Sequence, residues 1–219
     1  MNTHTRSLAK CGLFRGIPEE AYPDALRYLH ARRRDFQRGE IILHIGDKFT
    51  YAGLVLEGVI ECSYQDEAFN KFTMNHFSDG EMFGEAMSCA EVMISPMQVA
   101  AVSDCVIAFL DFRRLHESGE YQARLSMNLL RILSGKNIFL NQKVRILSRK
   151  DLRGKITSYL HTLTPDSDGI STLPFSKTAL AEFLCVNRTA LSRELTRMCN
   201  DGIISMNGRN FVLREKCAD

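Results

Sequence analysis

The hydrophobic positions of the chain change period along its length. Between residues 35 and 110 they fall in short runs or alternate with polar neighbours, punctuated by Gly39, Gly46-Asp47, Gly53, Gly58 and Asp79-Gly80. Alternation with frequent turn residues predicts antiparallel strands at 41–44, 54–56, 59–64, 69–77 and 99–110, the last broken at Ser103-Asp104, and hence a β-roll or jelly roll closed enough to hold a small ligand. From 115 to 147 the period lengthens to that of a long helix. Leu130, Leu133, Asn137, Leu140, Val144 and Leu147 advance by alternating steps of three and four, an a/d seam along which two copies would pack. Asn137 would fix the register of that seam, and Gly135 costs up to about 1 kcal/mol in a helix interior. Leu125, Leu129, Ile132 and Phe139 lie off the seam and are expected to face the β-roll.

Beyond residue 150 the pattern is again helical but in shorter pieces. Asp151 is an expected N-cap and hinge, followed by a helix at 152–163 that offers Ile156, Tyr159, Leu160 and Leu163 to a core. A short strand is expected at 170–173. The stretch from Phe175 to Ile204 then reads as two helices joined by a tight turn. In the first, 177–184, Leu180, Phe183 and Leu184 recur at helical spacing and small Ala181 allows close approach. In the second, 188–200, Leu191, Leu195 and Met198 face inward, while Arg188, Thr189, Ser192, Arg193 and Arg197 lie elsewhere. Asn187 is a good N-cap. One side is core and the other basic, the arrangement that lets a helix enter the major groove, with arginines able to grip guanine O6 and N7. A charged helix face turned to water is the plain alternative. After the helix stop at Asp201-Gly202, β-like runs at 203–206 and 209–213 are joined by Asn207-Gly208, which predicts a type I′ hairpin and therefore a winged helix-turn-helix.

The N-terminal region is less patterned. Residues 1–12 are expected to be mobile or lightly docked. A helix can start at Ile17-Pro18-Glu19-Glu20, use Leu26 and Leu29 for contacts, and carry Arg32, Arg33 and Arg34 near its C-terminal end as a solvated run.

With these segments in view, the sequence resembles the Crp/Fnr family of bacterial transcription regulators over nearly its whole length. NRTALSREL (187–195) is similar to the family's recognition helix, and RGEIILHIGD (38–47), LVLEGVIE (54–61) and DGEMFGEAM (79–87) to its cyclic-nucleotide-binding-type β-roll. The resemblance implies base reading by Arg188 and Arg193 and phosphate contacts from Ser176 and Lys177, with Thr178, Asn187, Thr189, Ser192 and Arg197 completing the DNA face. Thr189 stands where many members carry a base-reading Glu, and Cys185 where the turn usually has Gly. In nucleotide-binding members a Gly-Glu pair equivalent to Gly84-Glu85 lies against the sugar, and an Arg followed by Ser or Thr neutralises the phosphate. Here that place holds Ser95 and Pro96. A buried phosphate without a cation pays a large desolvation cost, so cyclic AMP is not expected. The effector pocket is placed at Phe83, Gly84, Glu85, Ser95, Pro96 and Met97. Met82, Met87, Met93 and Met97 are candidates for an adaptable apolar lining, and core filler is the alternative.

Composition narrows this further. With 219 residues, 45% hydrophobic and a net charge of +2, the chain is that of a globular protein whose nucleic-acid surface must be local. No stretch has the roughly 18 unbroken apolar residues of a membrane span, and residues 1–10 lack the apolar core of a signal peptide, so a cytoplasmic protein without membrane contact is expected. Cys11, Cys62, Cys89, Cys105, Cys185, Cys199 and Cys217 are scattered, with only Cys11 near the N-terminus, against an iron–sulfur cluster. A cupin-like metalloenzyme would share the roll but needs clustered His ligands, and His44 and His76 are isolated. His76 is also the candidate axial ligand for a haem- or redox-sensing member. No metal or cofactor is expected.

The resulting expectation is an α+β chain. An antiparallel β-roll sensor (jelly-roll or cupin-like) occupies 1–112, a long dimerisation helix 113–150, and a winged helix-turn-helix 151–219. Its expected partners are a pseudo-palindromic double-stranded DNA operator, a second copy, RNA polymerase and a small-molecule effector of unknown identity. A regulatory binding module without DNA affinity would instead show uniform surface charge around residues 188–197.

Overall fold

The computed structural model describes residues 3–65, 71–92, 94–174 and 176–214. Met93, Phe175, Cys217 and the first residues of the 69–77 run lie outside them. The chain divides into two compact units, residues 1–135 and 136–219.

The first unit opens with helix α1 (Thr3–Lys10), a 3-10 turn at Gly12–Phe14, a second at Glu19–Ala21 and helix α2 (Tyr22–Tyr28). The strands follow: β1 (Arg32–Phe36), β2 (Ile41–Leu43), β3 (Ala52–Glu57), β4 (Ile60–Gln65), β5 (Lys71–Phe77) and β6 (Met82–Phe83), then short helix α3 (Glu85–Cys89), β7 (Gln98–Ala101) and β8 (Cys105–Leu110). They form two antiparallel four-stranded sheets, ordered β1-β8-β3-β6 and β2-β7-β4-β5. Alternation along the strands decides what each face buries. Val55 and Ile107 point into an inner core with Leu43, Ile60 and Val99, whereas Leu54, Leu56, Ala108 and Leu110 join an outer core with Leu8, Phe14 and Leu29 from the N-terminal segments. Strand β3 is therefore buried along almost its whole length, which its continuous apolar run anticipates.

Three N-terminal expectations are corrected. Residues 3–10 are helical and docked: the Ser7 hydroxyl donates to the Leu56 carbonyl at 2.6 Å, with Leu8 and Cys11 buried. The helix expected from residue 17 is a 3-10 turn followed by α2, which ends early. His30, at φ +46, closes it in a Schellman motif in which His30 N–H donates to Arg27 O and Ala31 N–H to Leu26 O, a stop usually marked by Gly. Arg32, Arg33 and Arg34 consequently lie on strand β1, paired with β8 at the sheet's edge, where exposed charge discourages pairing with another chain.

The long helix α4 spans Gln122–Leu147 and starts later than residue 115, because a 3-10 turn at Phe112–His116 and a reversal through Gly119 precede it. A Cβ on Gly119 would meet Tyr28 Cε2 at 2.5 Å. Leu125 and Leu129 are buried in the outer core and Ile132 packs against it, as expected. Phe139 does not join that core; its ring packs on Phe183 instead.

The second unit holds the rest of α4, then α5 (Leu152–Leu160), β9 (Ser171–Thr172), α6 (Lys177–Phe183), α7 (Arg188–Asn200), β10 (Ile204–Asn207) and β11 (Asn210–Leu213), with β11 between β10 and β9. Its core gathers Ile146, Ile156, Leu160, Leu180, Leu191 and Phe211 among others.

Asn128 illustrates how polar side chains secure the first unit. It is 1% exposed, and its Nδ2 donates to the carbonyls of Leu13 (2.9 Å) and Arg15 (2.8 Å), tying α4 to the turn after α1. Replacing it with Ala would leave two carbonyls without this donor. Asn128→Ala is expected to lower stability by about 1–3 kcal/mol, read from urea denaturation at unchanged m-value.

Candidate nucleic-acid interface and the β-roll site

Helix α7 is built by its two ends and its buried stripe. At its start the Asn187 side-chain oxygen accepts from Thr189 N–H at 2.8 Å and Ala190 N–H at 3.4 Å, so the predicted cap is real and this group serves the helix itself. Leu191, Leu195 and Met198 are 0%, 3% and 0% exposed, which fixes the roll of the helix about its axis. Arg188, Thr189, Arg193 and Arg197 consequently face water, with Ser192 half-buried. Among the described residues neither Arg188 nor Arg193 pairs with a carboxylate, whereas Arg197 lies 3.6 Å from Glu194. In α6, the Ser176 hydroxyl accepts from Ala179 N–H at 3.2 Å as the N-cap, and Lys177 and Thr178 are exposed beside it.

The acidic side chain of α7, Glu194, and that of its C-cap, Asp201, are both paired with one arginine. Arg153 Nε donates to Glu194 Oε1 at 2.6 Å and its Nη1 lies 2.8 Å from Asp201 Oδ2, so one guanidinium holds the middle and the end of α7. Hydrogen bonding to Glu194 and then Asp201 raises the pKa of Arg153. With Glu194 only 14% exposed, the outer face of α7 is cationic. This arrangement escaped the sequence reading, since Arg153 and Glu194 are 41 residues apart with no periodicity connecting them.

The connection from α6 to α7 is a Schellman motif, with Cys185 N–H donating to Glu182 O and Val186 N–H to Ala181 O. Cys185 adopts φ +54, the left-handed conformation that glycine takes without cost. The α7 stop uses the same two bonds, Gly202 N–H to Cys199 O and Ile203 N–H to Met198 O, with glycine at φ +69.

The wing departs from expectation in one detail. Asn207 pairs with Asn210, so the central turn residues are Gly208 and Arg209, not Asn207 and Gly208. Only Gly208 has positive φ (+62), the pattern of a type II′ turn with Gly at its first central position rather than type I′.

In the first unit, three of the six residues proposed for an effector, Phe83, Gly84 and Glu85, lie in a tightly filled region. Gly84, at φ +72, precedes α3, and a Cβ there would meet Phe49 Cε1 at 2.4 Å. Phe83 is 2% exposed and stacks on Phe49 with centroids 6.2 Å apart; Phe77, Phe109 and Phe36 extend the aromatic cluster. Glu85 is 2% exposed. Ser95, 1% exposed, spends its hydroxyl locally, donating to Met97 O at 2.7 Å and accepting from Met97 N–H at 3.3 Å; Pro96 is exposed and Met97 half-buried. No Lys or Arg occurs from residue 84 to 97. Met82 and Met87 are buried in the outer and inner cores respectively. An open groove of about 500 Å³ lies at Asp35, Glu40, Glu57, Asp104 and Cys105, and none of the six residues lines it. His76, on β5, lies 3.6 Å from Glu61, and His44 donates its backbone N–H to Asp47.

Comparison with known proteins agrees with this geometry. The model of the cyclic nucleotide-binding domain matches residues 33–118, and that of the Crp-like helix-turn-helix domain residues 154–216. The transcriptional activator protein FnrA of Stutzerimonas stutzeri is 25% identical over 193 residues, spanning 85% of this chain and 78% of its own. The chain belongs to the Crp/Fnr family of transcription regulators. Another relative, the cAMP-activated global transcriptional regulator CRP of Pasteurella multocida, is 20% identical over 190 residues, spanning 84% of this chain and 90% of its own. In fold, the Thermus thermophilus catabolite activator protein is similar at a TM-score of 0.57 and 21% identity, with 93% of this chain and 94% of that one covered. Crp/Fnr proteins are regulators and not enzymes, which sets the cupin-like metalloenzyme aside. Among the described residues no helix is long and apolar enough to cross a membrane.

The two Schellman motifs that flank α7 predict opposite responses. Cys185→Gly exchanges roughly 1–2 kcal/mol of left-handed strain for roughly 0.5–1 kcal/mol of backbone entropy, so stability should rise by about 0.5–1 kcal/mol. Gly202→Ala should lower it by about 1 kcal/mol. Thermal denaturation of the two variants beside wild type reads both signs.

Proposed function

We propose that this Crp/Fnr protein is a homodimeric, sequence-specific DNA-binding regulator in the cytoplasm, whose two α7 helices enter successive major-groove turns of a pseudo-palindromic operator. The observation that carries the reading is the division of α7: Leu191, Leu195 and Met198 are sealed in the core while Arg188 and Arg193 are exposed without carboxylate partners among the described residues. Arginines so placed can bind guanine bidentately, and Ser176, Lys177, Thr178, Thr189, Ser192 and Arg197 supply phosphate or further base contacts. Asn187 contributes by capping α7.

Support for the dimer comes from α4. In a single chain Leu130, Leu140 and Val144 are 56%, 58% and 65% exposed, an apolar stripe that also includes Asn137 and reaches half-buried Leu133 and Leu147. A second copy packed along it would bury these side chains and give the two α7 helices a twofold relation, with half-sites about one helical turn apart. RNA polymerase would be met by the DNA-bound dimer.

A signal received by the roll would shift the population between two arrangements of α4. Moving such an equilibrium from mostly off to mostly on requires about 5 kcal/mol of discrimination. The signal is a small molecule or redox event other than cyclic AMP, because Ser95 and Pro96 offer no cation to a phosphate and the aromatic side chains fill the space beside Gly84.

Arg193→Ala should weaken binding to an operator selected from a randomised pool by about 1–3 kcal/mol and relax base choice at one position per half-site. Unchanged affinity and preference in a competition assay would remove Arg193 from the reading. Cyclic AMP at a millimolar dose should leave the thermal midpoint of the wild-type protein unmoved, and a clear rise would overturn its exclusion.

A further inference from the structure

Helix α4 presents two faces within the second unit, and only one of them is used by the dimer seam. Leu140, Val144 and Leu147 belong to the seam. On the neighbouring face, Phe139 and Lys143, one helical turn apart, both meet Phe183, the last residue of α6. The Phe139 and Phe183 ring centroids are 6.0 Å apart at 58°, and Lys143 Nζ lies 5.0 Å from the Phe183 centroid. Tyr159 of α5 approaches the same ring at 5.2 Å, and burial pushes its hydroxyl pKa up to about 12, so it stays neutral there. Phe183 is thus a shared contact of α4, α5 and α6. It sits directly before the Schellman turn that hands the chain to α7, and the two hydrogen bonds of that turn, with Leu184 and Leu191 fully buried, tie α6 to the start of α7.

We propose that Phe139 and Lys143 are positioning residues for DNA recognition, through which the dimerisation helix sets the orientation of α6 and α7 by holding Phe183. The inference rests on the dimeric reading above and adds the route by which the seam governs the recognition helix. A change in how two copies pack along Leu140 and Val144 rotates α4 about its axis, and the same rotation carries Phe139 and Lys143 against the Phe183 ring. Lys143 touches the ring through its charge, by a cation–π contact, and Phe139 through its edge and face. Phe139 is 50% exposed, so truncating it leaves little cavity and should not unfold the chain.

The test uses the full chain and duplex DNA selected from a randomised pool by the wild-type protein. Phe139→Ala and Lys143→Ala should each weaken operator binding about three- to ten-fold. Affinity for non-specific duplex should be unchanged, because the groups presented to phosphates are the same, and sedimentation should still report dimers. Phe139→Tyr and Lys143→Arg should restore wild-type affinity, whereas Lys143→Met, which keeps the bulk without the charge, should not. Phe139→Ala combined with Phe183→Leu should cost less than the sum of the two singly.

If the wild type is dimeric and selects an operator while Phe139→Ala and Lys143→Ala bind it as tightly as wild type, the inference is wrong and the functional reading stands. Equal losses on specific and non-specific DNA would also overturn it, by showing general destabilisation. A wild type that sediments as a monomer, or selects no sequence, removes the functional reading and the inference together.

Discussion

The burial of one stripe of α7 governs what the rest of the second unit can do. A helix of 13 residues has no intrinsic reason to turn one side outward, and isolated helices of that length are marginal in water. Seating Leu191, Leu195 and Met198 against Leu180, Leu184 and Ile156 supplies the stability and at the same stroke chooses which residues meet solvent. Fully burying side chains of this kind contributes roughly 1.5–3 kcal/mol each, far more than surface ion pairs worth about 0–1 kcal/mol. Packing therefore sets the orientation of the arginines, and electrostatics acts only on the surface that packing has chosen.

That surface is cationic because Glu194 is kept off it and Asp201 is paired. Glu194 lies on α7 itself and would repel phosphate if it faced outward; its contact with Arg153 turns it toward α5, and the same guanidinium reaches Asp201 at the C-cap. The chain as a whole carries a formal charge of only +2, so the local field does not come from composition. It comes from where individual acids are directed, a level at which net charge says little.

Elements whose limits are set by local chemistry could be read from the sequence. Helix α7 runs from Arg188 to Asn200 as expected, because Asn187 and Asp201-Gly202 are explicit start and stop signals, and most of the roll strands lie between visible turn residues. What escaped lacked such signals. The stop of α2 is made by His30, in a backbone conformation normally advertised by Gly, so the following arginines looked helical although pairing with β8 makes them a strand. The hairpin turn fell one residue later than Asn-Gly suggests, since cross-strand pairing of Met206 with Phe211 decides the register and leaves Gly208 and Arg209 between the strands. Phe139 fits an apolar helix face equally well whichever core it joins; its contact with Phe183, 44 positions away in the chain, is a property of tertiary packing alone.

The same reasoning bears on the roll. Gly53 and Gly84 both exist to admit aromatic rings: a Cβ on Gly53 would meet the Phe83 ring at 2.1 Å, and one on Gly84 would meet Phe49 at 2.4 Å. Phe49 and Phe83 then stack on each other, so each glycine makes room for one member of a single pair. A Gly-Glu sequence here is accounted for by ring packing and by the left-handed turn into α3, without a sugar to explain it. Ser95 closes its own turn to Met97 rather than presenting a hydroxyl outward. The glycines of this segment thus serve the roll's own phenylalanines, and a core packed this densely moves between discrete arrangements rather than deforming smoothly.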